Sequence, residues 1–96
     1  MQFLVLARDG TDPDASARRA AARPAHFEGA RKLRADGHII VGGARLDASG
    51  AMIGSMMVVD FLDRAALDAW LAIEPYATRG VWREIEVQPF RVASLD

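Results

Sequence analysis

Four short apolar runs divide this chain: "QFLVLARD" at 2–9, "HIIVGGARLD" at 38–47, "AMIGSMMVVDFL" at 51–62 and "VWREIEVQPF" at 81–90. Their lengths and their Val, Ile and Phe content suit strands. The first gap holds "DASARRAAARPAHFEGARKLRADG" at 14–37, rich in Ala and Arg and of high helix propensity. The last gap holds "RAALDAWLAIE" at 64–74, where Ala66, Leu67, Trp70 and Leu71 recur at helical spacing as a buried stripe. Only the turn "DASG" separates the second run from the third. A strand-helix-strand-strand-helix-strand order leaves few ways to pack, because each helix must return onto the same side of the sheet.

The expected fold class is therefore α+β: a ferredoxin-like βαββαβ sandwich, with helices on one face of an antiparallel sheet. Strands one and three are central in that topology, and these two are the most continuously apolar. Strands two and four are edges. The second carries Gly42 and Gly43, and in the fourth Val81, Ile85 and Val87 alternate with Trp82, Glu84 and Glu86. Strand three has no clearly polar face. The sheet face left bare by the helices is expected to pack on a second copy, giving a homodimer of the dimeric α/β-barrel type.

Ninety-six residues suit a single domain, 1–96, able to bury roughly 60–70% of its unfolded surface. Asp12 and Pro13 read as the cap and first position of the long helix. Pro24 predicts a kink or a restart, with a second helical segment beginning there. Gly37 suits a C-terminal cap, Asp63 an N-cap, and "EPYATRG" at 74–80 a loop or short helical turn.

Composition narrows the function classes. A net charge of −1 creates no field for nucleic acid or anionic membrane. The absence of cysteine removes disulfides, thiol catalysis and thiolate metal sites, and suits a cytoplasmic setting. The N-terminal apolar run is short for a signal peptide and far too short to span a bilayer. Two histidines without paired spacing argue against structural zinc, and "GG" at 42–43 precedes no helix, as a phosphate loop would require. An RNA-recognition sheet needs aromatics on its central strands, where this chain has "SMMVV".

His26 is the residue with chemistry to offer. With Pro24 at the first helical position it is third in its helix and shares a face with Ala30, Leu33 and Gly37, toward the sheet. The partial positive charge of a helix start disfavours imidazolium, and a nearby carboxylate favours it. A ring held between those effects suits a general base. The competing reading is a buried neutral histidine bonded to backbone. His38 opens an edge strand and reads as a surface residue.

The segments "FLVLARD", "RPAHFEGARKLRADGHIIVGGARLD", "GSMMVVDF" and "EPYATRGVWREIEVQPF", in this order and spacing, resemble the YciI-like (YCII-related domain) family over nearly the whole chain. The resemblance implies a ferredoxin-like fold that dimerises through its sheets. It also implies a small pocket with a catalytic histidine and carboxylate and no cofactor. Some members are associated with elimination chemistry on substituted aromatic rings. By the same resemblance His26 is the histidine and Asp9 the acid closing the first strand. Glu74 stands where the family usually has Asp, before Pro and Tyr, and is an alternative partner for His26. Arg23, Ser55, Glu74 and Tyr76 are the expected substrate-binding residues, with Ser55 a donor rather than a nucleophile. Each also has a plainer reading: a solvated turn acid, a surface cation or a packing aromatic. The chain is thus expected to take a small-molecule ligand, either as an acid/base enzyme or as a non-catalytic binding or accessory module.

Overall fold

A computed structural model describes residues 1–96. The elements are β1 (Gln2–Asp9), α1 (Ala15–Ala35), β2 (Ile39–Leu46), β3 (Met52–Asp60), α2 (Arg64–Leu71), α3 (Pro75–Thr78) and β4 (Trp82–Pro89). The sheet order is β2-β3-β1-β4 with every pair antiparallel, so the two most apolar strands are central. The helices cover one face, and the fold is ferredoxin-like.

Alternation along β1 explains the layering. Phe3, Val5, Ala7 and Asp9 point to the helices and are buried, while Leu4 and Leu6 point away and are half-buried. The register carries this across to β3, where Val59, Met57 and Ser55 stand beside Phe3, Val5 and Ala7. Leu67 fills the core from α2, with Ala66, Trp70 and Leu71 packed around it. Asp63 caps α2 by accepting a hydrogen bond from the Ala66 amide at 2.9 Å. Gly37, at φ 81, ends α1, and the His38 amide bonds back to the Leu33 carbonyl.

The helix start and the proline differ from the sequence reading. α1 begins at Ala15, and its N-cap Asp14 makes no side-chain cap bond. Asp12 is instead held by Arg18, through two bonds of 2.8 and 3.1 Å. Pro24 does not restart the helix; it lies inside one 21-residue helix. An interior proline costs about 3 kcal/mol. Here Arg19 and Ala22 before it are buried, and Ala30 and Leu33 after it pack on the core, so packing on both sides of the proline offsets that cost.

Two further expectations are corrected. Trp82 does not point outward with Glu84 and Glu86. The β1–β4 register shifts between Arg8 and Asp9, so Asp9 pairs with Trp82 and Arg83 is the extra residue. That bulge turns Trp82 to the helix face, where it is buried. His38 is not a free surface residue. Its Nδ1 lies 2.7 Å from the Asp60 carbonyl oxygen, and its ring stacks on Phe61 at 4.8 Å.

Candidate functional site

One face of α1 builds the site. Arg19, Ala22, His26, Ala30 and Leu33 follow one another at three- and four-residue steps, all toward the sheet. His26 is the twelfth residue of the helix, not the third. The field of the helix start fades within the first turn, so it does not act on this ring.

The carboxylate on His26 is Glu74. Its Oε1 accepts a hydrogen bond from His26 Nδ1, and its Oε2 accepts from the Ala77 amide at 2.9 Å. Glu74 thus caps α3 and orients the histidine with one side chain that is 3% exposed. A carboxylate only accepts, so the Nδ1 proton is assigned to the ring, and in the neutral imidazole Nε2 carries the lone pair. Tyr76 stacks flat on the imidazole, with centroids 3.8 Å apart and planes 9° apart, and Trp82 meets the ring edge-on at 5.8 Å. Burial raises the Tyr76 pKa above its ordinary value, so the phenol stays protonated at neutral pH.

Asp9 does not reach the histidine. Its oxygens take Arg19 Nη1 at 2.9 and 3.1 Å, in a buried pair beneath the pocket. Arg19 Nη2 continues to Ser55 Oγ at 3.1 Å, and its guanidinium lies 4.9 Å from the Tyr76 ring centre. Trp82 Nε1 also donates to Ser55 Oγ, at 3.1 Å. Two donors use both lone pairs of the Ser55 hydroxyl, which leaves its proton to donate. Gly54 beside it does not admit a ligand: a Cβ there would sit 2.2 Å from the Ala7 carbonyl oxygen. The close approach is that of strand β1.

His26, Ser55 and Tyr76 face a cavity of about 370 Å³ between α1 and the β2 edge of the sheet. That size falls within the roughly 300–1,000 Å³ usual for small-molecule sites. Arg23 stands at its rim, 4.8 Å over the Phe27 ring. No group of three or more His, Asp or Glu side chains is placed to hold a metal ion.

Neither Arg19 nor Trp82 is read from the sequence as a site residue. Arg19 lies seven residues before His26, two turns away on the same face. Reading α1 as one helix through Pro24 reveals it. Trp82 had no comparable signal, because a bulge sets its direction.

The YCII-related domain matches residues 1–91. The chain belongs to the YCII-related family. "Protein YciI" of Escherichia coli O6:H1 is 26% identical over 97 aligned positions, 95% of this chain and 97% of the relative. An uncharacterised protein of Haemophilus influenzae matches with the same identity and coverage. Among solved structures, 5-chloro-2-hydroxyhydroquinone dehydrochlorinase (TftG) of Burkholderia phenoliruptrix AC1100, in complex with 2,5-dihydroxybenzoquinone, has a TM-score of 0.85. It is 22% identical, over 97% of this chain and 96% of the enzyme. A dimeric ferredoxin-like protein of unknown function from Jannaschia sp. CCS1 has a TM-score of 0.53 at 18% identity, over 95% and 98% of the two chains. These likenesses establish the fold. No helix of the chain is long and apolar enough to cross a membrane.

Proposed function

We propose that this YCII-related protein is a cofactor-independent acid/base enzyme acting on a small polar or aromatic molecule by elimination or isomerisation. The observation that carries the reading is the Glu74–His26 pair at the cavity wall. Glu74 holds the ring in one tautomer, and Nε2 takes a proton from substrate O–H or C–H. In an elimination the freed electron pair becomes the new double bond, and the leaving group departs with its own pair. The Ser55 hydroxyl and the neutral Tyr76 phenol donate to the oxygen where charge develops. Asp9 is a positioning residue: it fixes Arg19, and through it Ser55. That a structural relative is a dehydrochlorinase supports the reaction type.

The working unit is a homodimer through the open sheet face. Leu4, Leu6 and Met56 are half-buried on that face beside the buried Val58, apolar surface that a second copy would cover. Leu6→Glu is expected to convert a dimer to a monomer in analytical ultracentrifugation. A wild-type monomer at micromolar concentration refutes the assembly.

The chemistry is tested with 5-chloro-2-hydroxyhydroquinone and related halogenated phenols, following release of halide. His26→Ala is expected to keep the fold and lose turnover by about 10²-fold or more. Equal turnover in the variant refutes the role of His26. Binding without turnover in the wild type replaces the enzyme with a ligand-binding module.

A further inference from the structure

His26, Ser55 and Tyr76 line the cavity, and beyond His26 along α1 so do Arg31 and Arg34, with Arg23 one turn before it. No Asp or Glu lines it. Three nearby acids have other partners: Glu74 has His26, Asp9 has Arg19 and Glu28 has Lys32. On the surface Arg18 is matched by Asp12 and Arg64 by Asp68. Arg19 aside, the arginines that line the cavity form no salt bridge. Between them the wall is apolar, with Phe27, Ala30, Ile39, Met52 and Met57. A chain of net charge −1 has concentrated one sign in one cleft. Low-dielectric walls strengthen such a field for a small anion.

The helix sets the spacing. Arg23, Phe27 and Arg34 lie on α1 along the flank of the stripe that carries His26 and Ala30. Arg34 Nη1 reaches toward the Ile40 carbonyl of β2 at 3.5 Å, which leaves most of its donors free. Arg31 and Arg34 lie five and eight residues beyond His26, a rise of ~7.5 and ~12 Å along the axis. An anion held there is separated from the reacting proton by the length of a ring and a short chain. A guanidinium fork fits a carboxylate with two parallel hydrogen bonds.

We infer that the substrate is a planar, ring-containing carboxylic acid. Its reacting O–H or C–H lies at His26, and its carboxylate lies between Arg31 and Arg34. This rests on the acid/base reading only for which end of the ligand faces His26.

The test is calorimetric binding of 4-hydroxycinnamate and of its uncharged amide to the full chain. The acid is expected to bind at least about tenfold more tightly than the amide at low salt. The ratio is expected to shrink with added salt, and to approach one in Arg31→Gln/Arg34→Gln. Both arginines are exposed, so the double variant should keep the wild-type circular dichroism spectrum. Equal binding of acid and amide, no binding of the acid at millimolar concentration, or an unchanged ratio in the double variant overturns the inference. Turnover plays no part in this readout. An acid preference that persists in His26→Gln, with no turnover in any substrate screen, keeps the clamp and rejects the acid/base reading. Turnover dependent on His26 with a ratio of one rejects the clamp alone.

Discussion

Replacing Glu74 by glutamine separates its two duties. One carboxylate oxygen caps α3 at the Ala77 amide, and the other takes the His26 Nδ1 proton. A glutamine carbonyl can keep the cap. Its amide nitrogen then faces Nδ1 as a donor, so the ring must accept there and carry its proton on Nε2. The base is then blocked at the atom that faces substrate. A wrong-tautomer substitution of this kind in a serine protease triad lowers turnover about 10⁴-fold, and a loss of roughly 10²–10⁴ is expected here. The stability cost is a buried charge-assisted bond, about 1–3 kcal/mol. Glu74→Ala loses the cap as well, for about 1 kcal/mol more. In a domain of this size each kcal/mol moves Tm by roughly 4–8 °C. The assay is long-range ¹H–¹⁵N NMR of the imidazoles, with His38 as internal reference. Wild type should show a protonated Nδ1 and a bare Nε2, and Glu74→Gln the reverse. An unchanged tautomer in the variant, or Gln and Ala variants of equal Tm, refutes the division of labour.

Two other predictions concern the frame of the site. Tyr76 is the only tyrosine, so phenolate absorbance reports it alone. Its folded pKa is raised by burial above an unfolded value of about 10. The folded state therefore holds the proton longer, and its stabilisation is complete below pH ~10 and lost as pH rises beyond it. Phenolate should appear together with unfolding, and Tyr76→Phe should flatten the alkaline fall in stability; phenolate formed near pH 10 in an intact fold contradicts this. Gly54→Ala forces a methyl group against the Ala7 carbonyl, a backbone atom that cannot step aside. Urea denaturation should show a loss of about 1–3 kcal/mol or more, and a wild-type midpoint refutes the required contact.

Much of the fold is legible in the order of patterns. Period-2 apolar runs and a period-3.6 stripe set element type, and the crossover rule does the rest. Asp63 and Gly37 mark their helix ends as read, because a cap depends on residues within one turn. Asp12 misleads for the opposite reason: Arg18, a residue further along the helix, claims its carboxylate.

His26, Ser55 and Tyr76 are recognisable in sequence by residue type and family spacing, but their partners are not. Asp9 and Glu74 are equally plausible acids for His26 on paper. The choice depends on where α3 sets down Glu74, 48 positions away in the chain, and on Arg19 occupying Asp9. The direction of Trp82 depends on one inserted residue in β4, and the survival of α1 through Pro24 on packing at both ends. Local sequence determined which elements form and which side chains carry chemistry, because propensity and capping act over a few residues. Tertiary structure alone decided which acid meets which base and where unpaired arginines gather, because those contacts join segments that nothing local relates.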